Sequence, residues 1–106
     1  MSEVKSALDE CYKALHANKA ARKQAEIVIA EATKGIENQR ITAINVLDLI
    51  IEYPEVEDEY LDVLKNVADM GIELVQMLLE ANEVRVLLVA SEEKIESDIN
   101  YLTRLI

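Results

Sequence analysis

Few side chains in this chain have the chemistry to act on a substrate or hold a metal. His16 is the one histidine and Cys11 the one cysteine. A zinc site needs more nitrogen and sulfur ligands than that pair supplies. A carboxylate-bridged di-metal site in a helical bundle needs Glu-x-x-His pairs, and no acid stands three or four residues before His16. His16 lies in a lysine-rich stretch and reads as a surface or register residue. Cys11 falls on an apolar stripe and reads as a small buried apolar residue rather than a nucleophile. A single cysteine excludes an internal disulfide framework. No Ser-His-Asp or Cys-His arrangement is indicated, and no glycine-rich phosphate loop is present. No cofactor and no metal is therefore expected.

Carboxylates are plentiful, and two groups have spacings that suit magnesium. Glu92-Glu93-Lys94-Ile95-Glu96 is an EExxE pattern and Glu59-Tyr60-Leu61-Asp62 is ExxD. Such spacing puts several oxygens on one helix face, as Mg²⁺ requires. All-α nucleotide pyrophosphatases of the MazG type build a magnesium site from motifs of that kind on adjacent helices. Here the motif order is reversed, and an antiparallel fold puts Glu59 near the turn and Glu92 far along the arm. No resemblance to that family is claimed. A magnesium-dependent pyrophosphatase stands only as the third functional reading.

A third acidic group surrounds the one proline. Glu52, Glu55, Glu57, Asp58 and Glu59, with Asp62 beyond, are flanked by Tyr53 and Tyr60. Helix-dipole complementation explains the acids, and tyrosines plugging the end of a bundle explain the aromatics. The functional reading is an acidic, aromatic tip that docks a protein with a basic surface. Its candidate partner-binding residues are Glu52, Tyr53, Glu55, Glu57, Asp58, Glu59 and Tyr60.

Charge and composition bound the rest. The net charge is −10 and unevenly spread: residues 1–40 hold seven bases and six acids, residues 41–106 four bases and fifteen acids. An acidic surface repels nucleic-acid phosphates and anionic lipid, which disfavours direct binding to either. The apolar runs, of which residues 86–90 are the longest and 49–51 another, are far too short to span a bilayer. The first residues carry no apolar signal-peptide core. A cytoplasmic protein is expected. At 106 residues and 51% hydrophobic, a single domain, 1–106, folds without disulfides or metal.

The elements that must position these groups are helices. Two glycines and one proline leave little turn chemistry for a β-rich fold. Alternating steps of four and three from Val4 visit Leu8, Cys11, Leu15, Asn18, Arg22, Ala25, Ile29, Ala32, Ile36, Gln39, Ala43, Val46, Ile50 and Tyr53. The same steps from Tyr60 give Leu64, Val67, Gly71, Leu74, Leu78, Ala81, Arg85, Leu88, Glu92, Ile95, Ile99, Leu102 and Ile106. Both are sustained, mostly apolar seams of a coiled coil. Ser2 or Ser6 caps the first helix. Tyr53, ahead of proline, is pushed out of the α region and ends it. Pro54 suits the first turn of the second.

The spacing thus predicts an all-α fold: one long antiparallel helical hairpin turning at Pro54, each arm roughly 78 Å if unbroken. Folding about Pro54 sets residue i opposite residue 108 − i. Asn18 and Arg22 then meet the level of Arg85 to Glu92. Lys13, His16, Lys19 and Lys23 also come to face Glu92, Glu93, Glu96 and Asp98. The structural role of this layer is to fix antiparallel register; the functional one is a polar pocket at the open end.

Apolar residues exceed what two seams use, around 41–51, 74–79 and 84–89. A broad apolar face calls for more than one neighbouring helix. The favoured solution is dimerisation of hairpins into a four-helix bundle. The alternative is a monomeric four-helix bundle with extra breaks near Gly35 and Asn82, and a minor third option makes Val84–Val89 a strand. Hairpins of this length that dimerise are also the architecture of WXG100-type secreted proteins. The tryptophan–glycine turn of that family is replaced here by Glu52-Tyr53-Pro54-Glu55, and the likeness is one of shape alone. The expected function is a non-catalytic protein–protein interaction module, adaptor or regulatory, that forms a homodimer. The alternative is an acidic, DNA-mimic-like inhibitor of a nucleic-acid-binding protein.

Overall fold

A computed structural model describes residues 2–106. It is an all-α hairpin of two helices, α1 (Ser2–Glu52) and α2 (Glu57–Arg104), joined by a short 3-10 turn over Pro54–Val56. The join follows from proline. Tyr53, the residue before it, has left the helix at φ −127° and ψ 76°. Its N–H still donates to the Leu49 carbonyl at 2.8 Å, and its own carbonyl accepts from the Val56 N–H at 3.1 Å. Glu57, Asp58 and Glu59 open α2, where the positive helix end favours carboxylates. Pro54 thus starts the 3-10 turn and not the α-helix itself. Ser6 lies inside α1, which begins at Ser2, and so is not a cap.

Neither expected break occurs. α1 runs unbroken through Gly35 and α2 through Asn82, so the monomeric four-helix alternative is overturned. One glycine costs only about 1 kcal/mol against alanine, too little to interrupt helices this well furnished with Ala, Leu, Glu and Lys. The run 84–89 is helical as well; its valines sit inside a long helical context that outweighs their β preference.

The chain divides into two compact units, each built from both helices. The open-end unit pairs α1 up to Ile27 with Ala81–Ile106, and the turn-side unit is Val28–Glu80. Every position of the first seam except Tyr53, and every position of the second except Ile106, is buried or half-buried. The buried apolar core is thin and mostly small: Ala25, Ala32, Val46 and Ile99. Short side chains at the seam let two helices approach closely, which is how a hairpin packs without a third layer.

Candidate interaction surface

In the open-end unit the polar residues of the two seams meet as expected. Asn18 is buried, and its Nδ2 donates to the Leu88 carbonyl at 2.9 Å. Arg22 Nε lies 2.9 Å from Glu92 Oε2, with Glu92 largely covered. Nε and that oxygen lack a well-aligned hydrogen bond, and Arg22 Nη2 instead donates to Glu92 Oε1 at 3.5 Å. Arg22 Nη1 meanwhile reaches Glu26 on its own helix at 3.2 Å. Arg85, on the facing seam, donates to Asn82 Oδ1 at 2.9 Å. Of these, the Asn18–Leu88 and Arg22–Glu92 contacts cross between the helices and tie their antiparallel register. Among the described residues, Lys13, Lys19, Lys23 and His16 form no ion pair with the acids of α2; Lys13 is paired with Glu10 of its own helix. His16 is exposed and Cys11 half-buried on the seam.

The carboxylate motifs lie in different units, Glu59 and Asp62 turn-side, Glu92, Glu93 and Glu96 at the open end. No three of the described His, Cys, Asp or Glu residues gather to hold a metal ion.

At the turn, Glu52, Tyr53, Glu55, Glu57, Asp58 and Glu59 are all exposed and Tyr60 is half-buried. Among the described residues none of their side chains takes part in a hydrogen bond or ion pair. Tyr60 is half-buried at a seam position, whereas Tyr53 projects at 46% exposure.

The larger surface lies on one flank of the turn-side unit, and the sequence reading did not resolve it. Steps of three and four from Leu61 give Lys65, Ala68, Ile72, Val75 and Leu79, one residue past each seam position of α2. The corresponding flank of α1 carries Glu37, Arg40, Ile44, Leu47 and Ile51. Because the helices are antiparallel, these two flanks open on the same side. Ile72, Leu79, Leu47 and Leu61 are each about half exposed or more. Between them Ile36, Gln39, Arg40, Val67, Gly71 and Val75 line a groove of about 430 Å³ with almost wholly apolar walls. The floor is open because Gly71 carries no side chain: a Cβ built there would touch nothing within 4 Å. Gly35 is the opposite case, since a Cβ there would lie 3.0 Å from Leu74 Cδ1, so that leucine already fills its notch.

The groove is bordered by one ion pair. Arg40 donates to both oxygens of Glu37, through Nε at 3.1 Å and through Nη2. This hydrogen bonding holds the Glu37 carboxyl below its ordinary range and raises the Arg40 guanidinium. The other flank of the unit is more polar, interleaving Glu31, Asn38, Thr42, Asn45, Asn66, Glu73 and Glu80 with Val63, Met70 and Met77. The signal for the apolar flank was legible in principle: moving the α2 steps one residue past the seam yields an almost uninterrupted apolar row.

No helix among the described residues is long and apolar enough to cross a membrane. No protein-family model, curated protein or solved structure matches the chain.

Proposed function

We propose that the chain is a non-catalytic, cytoplasmic protein–protein interaction module that works through the surface of its helical pair. The observation that carries this reading is the apolar flank of the turn-side unit. The helices hold Ile44, Leu47, Ile72 and Leu79 in water along a flank that contains an apolar groove, and contiguous exposed apolar surface of this kind marks interaction sites. The acidic turn offers a second docking surface for a basic protein. There Glu55, Glu57, Asp58 and Glu59 project with no intramolecular partner among the described residues, beside the free Tyr53.

Affinity capture followed by reconstitution from purified components tests the reading. A defined partner should bind the wild-type chain and lose most of its affinity when Glu55, Glu57, Asp58 and Glu59 are all changed to lysine, or when Ile72 is changed to glutamate. Retention of no protein, together with hydrolysis of nucleoside triphosphates in millimolar Mg²⁺, would reject it in favour of an enzyme.

A further inference from the structure

We propose that the occupant of the apolar flank of the turn-side unit is a second copy of this chain, seated over the Gly71 notch. The inference rests on the interaction-module reading and names its first partner. Three observations point to a second copy.

The first is apolar exposure. Ile44, Leu47, Ile51, Leu61, Ile72 and Leu79, all on this flank, are each at least 43% exposed. Interfaces between permanent copies of one chain are the more apolar class.

The second is charge. The turn-side unit holds twelve acids and three bases, yet of its acids only Glu37 lies on this flank. Asp48, Asp62 and Asp69 lie on the outermost positions of their helices, and Glu31, Glu73 and Glu80 on the opposite flank. The apolar flank holds Glu37, Arg40 and Lys65, with Glu37 and Arg40 already paired. Two such flanks meet without opposing rows of carboxylates. A basic protein finds nothing to grip here and belongs at the turn instead.

The third is relief. The notch at Gly71 is bordered by Ile72 and Val75 of α2, and the exposed Ile44, Leu47 and Leu79 stand farther along the same flank. Under a two-fold axis the same patch faces itself, so that projections of one copy can enter the hollow of the other. Close packing of that kind would complete a four-helix bundle, in which broad apolar stripes are covered by more than one neighbouring helix.

Light scattering coupled to size exclusion on the purified full chain tests this directly. The expected mass is twice 11.9 kDa at tens of micromolar. Gly71→Leu, which fills the notch from a position where added atoms meet no intramolecular neighbour, should raise the dimer dissociation constant at least tenfold while helicity by circular dichroism is retained. Ile72→Glu should do the same. Met70→Glu on the other flank and Leu87→Glu in the open-end unit should leave it within about twofold. A monomer at every accessible concentration overturns the inference. So does a dimer that ignores Gly71→Leu and Ile72→Glu but breaks with Leu87→Glu. Neither of these outcomes bears on capture of a different protein at the acidic turn, which is read separately with the lysine variants.

Discussion

The open-end and turn-side units are built from the same two helices but are held in different ways. At the open end the helices are tied by polar groups: buried Asn18 on the Leu88 carbonyl, and Arg22 against Glu92. In the turn-side unit, among the described residues, every side-chain hydrogen bond stays within one helix. Thr33 and Thr42 return to the carbonyls of Ile29 and Asn38, and Arg40 holds Glu37. There the helices meet through shape alone, with Ala32 almost wholly buried and Leu74 seated over Gly35. Charge divides just as unevenly. Eight bases nearly balance nine acids at the open end, whereas three bases face twelve acids at the turn side. Polar contacts inside a seam specify register at some cost in stability. A unit without them is free to spend its side chains on an outward apolar face, and the turn-side unit has done so.

The comparison can be broken most severely at Ala32. Ala32→Leu forces a long side chain into the closest approach of the two helices and should cost about 2 kcal/mol or more in urea unfolding. An equal effect from a surface position such as Ala30→Leu would show that the seam is not where the helices meet. Removing the polar tie is the next largest change. Asn18→Ala should lose about 1 kcal/mol, and paramagnetic labels on the two helices should report a broader spread of distances if Asn18 holds the register. Unchanged distances would assign that task to apolar packing throughout.

The two glycines sharpen the contrast within the turn-side unit. Under dilute, monomeric conditions Gly71→Ala should stabilise by about 1 kcal/mol, the helix-propensity gain with no opposing contact. Gly35→Ala should gain less or turn destabilising, because the new methyl meets Leu74. Equal gains at both sites would mean that Leu74 moves aside freely. The smallest effect is at Glu37. Its folded-state carboxyl titrates below its unfolded value, so its contribution is present above the unfolded pKa and is lost as pH falls through the folded one. Both partners are fully exposed, and Glu37→Gln should only slightly flatten the acid limb of the melting-temperature profile.

Much of this architecture is legible in the residues. The three-and-four stepping marks the positions that are covered, the lone proline marks the turn, and the level of Asn18 and Arg22 matches that of Leu88 and Glu92. All three follow from local rules: helical period, proline sterics and antiparallel register. What the sequence leaves open is tertiary. Gly35 and Gly71 look alike in a string of letters, but one hollow is filled from across the hairpin and the other is not. That distinction depends on which leucine stands opposite, a matter of register to within one residue. Likewise Tyr53 and Tyr60 bracket the turn and both fall on a seam by spacing, yet only Tyr60 is half-buried, because Tyr53 has left the helix ahead of proline. Gly35 and Asn82 invite a break by propensity, and the continuity of the flanking helix prevails over it.

Salt dependence of self-association tests the central claim most directly. Sedimentation equilibrium of the purified chain should be run between about 0.05 and 0.5 M NaCl, where the Debye length shrinks from above ten ångströms to a few. Docking through an apolar flank between two strongly acidic units should tighten as salt screens their mutual repulsion, giving a dimer whose dissociation constant falls with ionic strength. A chain that stays monomeric throughout, or a dimer that weakens with salt as ion-paired contacts do, would contradict the account.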